Sequence, residues 1–151
     1  MKTVVIGIGH PDRGDDAVGR IVAARLRGRV PDSVSVVEAD GEATALMDRF
    51  NGASNAILVD ASLSGVPAGT VQRFDVTRQT LPPGRLGMST HGFGLAEAIE
   101  LARCLGRLPD SCIVYAVEAG SFEPGEPLSP EVAAAADDVV ERVLTETGRS
   151  G

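Results

Sequence analysis

Four residues carry side chains that could do chemistry together: Asp15 and Asp16 in the segment Gly7-Ile8-Gly9-His10-Pro11-Asp12-Arg13-Gly14-Asp15-Asp16-Ala17-Val18-Gly19, Asp60 at the end of an apolar run, and His91 in Ser89-Thr90-His91-Gly92. Asp16, Asp60 and His91 together make a mixed oxygen and nitrogen donor set. Such ligands suit a borderline divalent ion such as nickel, zinc or manganese, and three protein ligands leave positions open for something else to bind. Each residue also has a plainer reading. Asp15 or Asp16 could cap a helix, Asp60 could form an Asx-type turn, and His91 could be a loop histidine satisfied by backbone.

The elements that would position these groups follow from apolar spacing. Thr3 to Ile8 is apolar without alternation, as in a central strand covered on both faces. The segment after it leads into a helix that begins near Asp15 or Asp16, with Val18, Ile21, Val22 and Leu26 as its buried stripe and Gly28 as its stop. The Gly-rich turn therefore sits between a first strand and a first helix, where open α/β sheets place ligands. A phosphate is a poor fit. The third fingerprint glycine is missing, and Pro11, Asp12 and the Asp15-Asp16 pair replace the usual cradle, so the loop attracts a cation or handles a proton instead. Glu38 and Asp40 mimic the ribose-binding acid of a dinucleotide site, but without that glycine.

Further along, Pro31-Asp32 turns into a strand from Val34 to Ala39, and Ala43, Leu46, Met47 and Phe50 have the spacing of a short amphipathic helix closed by Asn51-Gly52. Ala56 to Ala61 forms a third strand with Asp60 near its carboxyl end, the edge that also bears the first turn. Thr70 to Val76 alternates apolar and polar residues, which predicts an edge strand, and its short connection to the third strand permits an antiparallel orientation. Gln79 to Met88 reads as irregular. Leu95, Ile99, Ala102 and Leu105 mark another helix, Ile113 to Val117 a fifth strand ending at Glu118, and Ser129-Pro130-Glu131 starts a last helix that runs to about Thr145. Glu118 and Glu123 have no evident partner and read as solvated. The alternation of strands and helices predicts one α/β domain over residues 1–151. Its architecture is a three-layer α/β/α sandwich around a mainly parallel five-stranded sheet with one antiparallel edge strand.

Composition narrows the function. Hydrophobic residues make up 43% of the chain and charged residues 23%, close to the globular average, so a folded core is expected. A formal net charge of −7 disfavours nucleic acid or an anionic membrane as the main partner. No apolar run reaches the roughly 20 residues that span a bilayer, and Met1-Lys2 leads into a strand rather than a signal peptide, so a cytoplasmic protein is expected. Cys104 and Cys112 form no CxxC motif and read as reduced, partly buried small hydrophobes.

Taken together, the Gly7 to Gly19 segment, Asp40-Gly41, Ile57-Leu58-Val59-Asp60-Ala61, Pro67-Ala68-Gly69-Thr70-Val71, Ser89-Thr90-His91-Gly92-Phe93-Gly94-Leu95 and Leu128-Ser129-Pro130-Glu131-Val132 resemble the hydrogenase maturation proteases. The resemblance covers nearly the whole chain in order. It implies an endopeptidase that removes a C-terminal peptide from the large-subunit precursor of a nickel-iron hydrogenase, cutting only after nickel has been inserted. The family's metal-binding positions carry over to Asp16, Asp60 and His91, with the nickel supplied by the precursor. Two routes to hydrolysis stay open: the metal polarises the carbonyl and a bound water, or a carboxylate acts as general base, with Asp15 the first choice for a helper carboxylate beside Asp16 and Asp60. The chain departs from the family pattern at His10, where Asn is usual, at Asp16, where some members carry Glu, and around Glu118-Ala119-Gly120, where an amide and a proline are expected. The other functions to weigh are a nickel-binding chaperone that does not cleave and a nucleotide-binding module.

Overall fold

The computed structural model describes residues 2–81 and 95–148. Its strands are β1 (Thr3–Ile8), β2 (Val34–Ala39), β3 (Asn55–Ser62), β4 (Val71–Asp75) and β5 (Ser111–Glu118). The helices are α1 (Val18–Leu26), α2 (Ala43–Phe50), α3 (Leu95–Cys104) and α4 (Pro130–Thr147). The strands form one sheet in the order β2-β1-β3-β5-β4, parallel throughout except for β4, which runs antiparallel to β5. β4 is thus the expected antiparallel edge. Its neighbour is β5 rather than β3, because β5 takes the place beside β3 and the β3–β4 connection must cross over to reach the edge.

Both faces of the sheet are covered, which is why β1, β3 and β5 are apolar without alternation. On one face Val5, Ile57, Val59 and Val117 pack with Val18, Val22 and Leu26 of α1 and with Val132, Val139 and Val143 of α4. On the other, Ile6, Leu58 and Val114 pack with Leu46 and Phe50 of α2 and with Leu95 and Ile99 of α3. Burying an aliphatic side chain fully stabilises by roughly 1.5–3 kcal/mol, so two such clusters outweigh any local turn preference in fixing the layers.

Several local expectations shift. Helix α1 starts at Val18, after a 3-10 turn over Gly14–Ala17, and neither Asp15 nor Asp16 caps it by a side-chain hydrogen bond. Its stripe runs through Gly19 and Ala23 while Ile21 is only half-buried. The cause is close approach: a Cβ on Gly19 would lie 2.3 Å from the carbonyl oxygens of both Ile8 and Val59, and one on Gly7 would lie 2.1 Å from the Gly19 oxygen. These two glycines let α1 sit directly on β1 and β3, which brings the turn that bears Asp16 down onto the sheet. Helix α2 is capped by Glu42, whose carboxylate accepts from the backbone N–H of Thr44 and Ala45 at 3.0 and 2.9 Å. Leu105 falls beyond the end of α3 and is exposed, and Cys104 is exposed while Cys112 is buried, its thiol pushed up to about 12 by burial.

Candidate active site at the carboxyl edge of the sheet

The turn after β1 and the end of β3 meet at the carboxyl edge, and each delivers one buried aspartate. Asp60 is 1% exposed and Asp16 7%. Asp60 stands on the α2/α3 face of the sheet, since side chains alternate along a strand and Leu58 lies in that cluster. One of its oxygens, Oδ1, accepts the N–H of Ala61, the next residue, at 2.8 Å, which is not the Asx-type turn. The other, Oδ2, is buried and finds no hydrogen-bond partner among the described residues. A carboxylate oxygen removed from water without a donor is costly, and burial, helped by the charge of neighbouring Asp16, pushes the Asp60 carboxyl well above its ordinary range.

Asp16 is also raised, by burial first. The backbone N–H of His10 and the charges of His10, Arg13 and Arg20 work against that rise without cancelling it. Arg20 is itself held by the turn, with Nε donating to the Gly9 oxygen at 2.5 Å. The pair therefore holds a proton more tightly than two free aspartates would, the deeper Asp60 most of all. Two buried carboxylates with an unfilled acceptor bind a cation by giving up that proton, or take a proton from a water. His91, the third member of the donor set, lies outside the described residues.

Asp15 is buried too, but its carboxylate is fully engaged. Oδ1 accepts from the Ser129 N–H at 2.7 Å, and Oδ2 from the N–H groups of Gly120 and Ser121 at 2.6 and 2.9 Å and from the Ser129 hydroxyl at 2.8 Å. Burial alone would raise this group, but the donors of Ser129, Ser121 and Gly120 outweigh it and hold the carboxyl below its usual value. Asp15 ties the turn after β1 to the loop between β5 and α4. Ser129 occupies the N-cap position of α4 as expected, yet makes no side-chain cap; its hydroxyl donates to Asp15 instead.

Glu118 overturns a sequence expectation. Read as solvated, it is 3% exposed and accepts five hydrogen bonds from Ser62, Ser64 and Gly65. Two serines flanking Leu63 just beyond Asp60 were the available signal. Glu123 is exposed, as expected. Glu38, the mimic of a ribose-binding acid, is paired with Arg27 at 2.7 Å and with Arg20 at 3.8 Å. No helix among the described residues is long and apolar enough to cross a membrane.

A doubly covered, mainly parallel sheet with two buried aspartates at its carboxyl edge, both carboxyls raised by burial, defines an α/β protein with a candidate site at that edge. Comparison with known proteins narrows the class. The family model described as hydrogenase maturation protease matches residues 21–146, and the chain belongs to that family of endopeptidases. The hydrogenase 2 maturation protease of Escherichia coli strain K12 is 28% identical over 156 residues, covering 100% of this chain and 93% of that protein. The hydrogenase expression/formation protein HupD of Bradyrhizobium diazoefficiens is 30% identical, covering 97% of this chain and 80% of its own length. Among solved structures, the hydrogenase maturating endopeptidase HybD from E. coli superposes with a TM-score of 0.78 at 27% identity, over 99% of this chain and 96% of that one.

Proposed function

We propose that this endopeptidase removes a C-terminal extension from the large-subunit precursor of a nickel-iron hydrogenase, acting in the cytoplasm once the precursor carries its nickel. Asp16, Asp60 and His91 take hold of that nickel, which arrives with the substrate, and so draw the scissile peptide into the crevice. The observation that carries the reading is the buried Asp60 Oδ2 without a hydrogen-bond partner among the described residues, beside a second buried carboxylate. Such an oxygen is costly in the free protein and becomes satisfied when a cation reaches it.

Asp60 releases its proton as the cation enters, while Asp16, nearer the turn and its cationic neighbours, supplies the second oxygen ligand. The water that attacks the peptide carbonyl is then activated by the nickel or by a carboxylate of the pair. Asp15 contributes by holding the turn that carries Asp16, since all its acceptor capacity goes to Gly120, Ser121 and Ser129. Intact-mass analysis of the precursor tests this reading. Loss of a defined C-terminal peptide from nickel-loaded precursor, with nickel-free precursor untouched, is the expected outcome. Unchanged mass with a nickel-dependent complex between the two proteins would assign a chaperone role instead.

A further inference from the structure

We infer that Glu118 is a positioning residue for the crevice: its carboxylate clamps the start of the β3–β4 loop and thereby fixes the end of the strand that carries Asp60. The inference rests on Asp60 belonging to the active site.

Glu118 is the last residue of β5 and stands opposite Ser62, the last residue of β3, in the parallel register. Asp60 stands opposite Ala116 two residues earlier, so Glu118 and Asp60 share the α2/α3 face of the sheet. Glu118 thus lies two register positions beyond Asp60 toward the carboxyl edge, on the same face. Its Oε1 accepts the Ser62 hydroxyl at 3.1 Å, the Ser64 hydroxyl at 2.7 Å and the Ser64 N–H at 3.1 Å. Its Oε2 accepts the N–H groups of Ser64 and Gly65 at 2.9 and 3.2 Å. The Glu118 backbone adds two bonds to the far end of the same loop, its oxygen accepting from Gly69 at 2.8 Å and its N–H donating to Thr70 at 2.9 Å.

One residue therefore grips both ends of the loop that leaves β3. The grip matters because, among the described residues, the one hydrogen bond to the Asp60 side chain is that from the N–H of Ala61. Its aim depends on where the end of β3 lies. Leu63, exposed at 40% between the two clamped serines, is carried on the same anchored stretch.

The chemistry of the clamp makes a selective test. An amide in place of the carboxylate can satisfy the same partners, with its NH2 donating to the two serine hydroxyl oxygens and its oxygen accepting from the N–H groups of Ser64 and Gly65. Leucine, of similar bulk, can satisfy none of them. Kinetics on nickel-loaded precursor, followed by intact mass and normalised to folded protein, should therefore separate Glu118→Gln from Glu118→Leu. Expected are a kcat within about threefold of wild type for Glu118→Gln and a fall of about tenfold or more for Glu118→Leu, with KM changed by less than about twofold. A Leu variant that folds and keeps wild-type kcat overturns the inference. So does a Gln variant that falls as far as Leu, because the charge and not the clamp would then act. Should Glu118→Leu fail to fold, Ser64→Ala removes one donor, and a fall of about twofold or more in kcat is expected, an unchanged kcat being the contrary result. Wild type that leaves the precursor intact, or Asp60→Asn that processes it normally, refutes the functional reading and takes this inference with it.

Discussion

Replacing Asp60 by asparagine should make the protein more stable while it abolishes processing. Asp60 is 1% exposed, and its Oδ2 has no hydrogen-bond partner among the described residues. Burial, with Asp16 beside it, raises the carboxyl well above its usual range. The sign follows from proton linkage. Between the unfolded-state value near ~3.9 and the raised folded value, the native protein binds more protons than the unfolded chain, so stability falls as pH rises, by about 1.4 kcal/mol per pH unit for this group. Above the folded value the loss levels off. Asparagine keeps the acceptor for the Ala61 N–H and cannot ionise, so its advantage is absent at about pH 4 and below and grows above it. Among the described residues the amide NH2 is as unpartnered there as Oδ2, so the difference is the cost of burying the ionised form, and an advantage of about 2 kcal/mol at neutral pH raises the thermal midpoint by roughly 4–8 °C for a domain of this size. Thermal unfolding followed by circular dichroism at about pH 4 and about pH 8 measures it, a window that opens at the onset of the effect. A midpoint difference that does not grow with pH, or an asparagine variant less stable at the higher pH, would refute the reasoning.

Asp15 carries the opposite sign. Because its donors hold the folded carboxyl below the ordinary value, its contribution is full above the unfolded value near ~3.9 and fades as pH falls through the folded one. Asp15→Ala leaves three N–H groups without their acceptor and should cost about 3–5 kcal/mol at neutral pH by urea unfolding, a loss that shrinks in acid; a loss below about 1 kcal/mol would show that water replaces the network. Gly19→Ala places a Cβ 2.3 Å from two strand carbonyls, so α1 must lift from the sheet, at a cost of about 1–3 kcal/mol or more and with reduced processing because the turn bearing Asp16 moves with it. An alanine variant with wild-type stability would mean that α1 has room the two glycines do not suggest.

How much of this was legible in the sequence depended on distance along the chain. β1, β2 and α2 are where apolar spacing puts them, and the edge position of β4 follows from its alternation, because each is a local pattern with a local cause. The neighbour of β4 was not legible, since strand order is decided by which buried faces must be covered. Residue type and the rule that ligands collect at the carboxyl edge single out the aspartates. Their different surroundings were not legible. Asp15 and Asp16 are adjacent, yet one is spent on Gly120, Ser121 and Ser129 while the other stands by Asp60, and only the chain's return more than a hundred residues later separates them. Glu118 was misread for the same reason. Its donors lie 53 to 56 residues away, and an acid at a strand end with no local partner looks solvated until the neighbouring strand is known.

The most direct test of the central claim, that Asp16 and Asp60 take hold of the precursor's nickel, is the intact mass of nickel-loaded precursor after incubation with wild type, Asp16→Asn, Asp60→Asn and His91→Ala. Wild type should release one defined C-terminal peptide, and each variant should leave the precursor whole, Asp60→Asn doing so while unfolding at a higher temperature than wild type. Processing at the wild-type rate by Asp60→Asn or Asp16→Asn would contradict the account and move the metal contact and the chemistry to other residues.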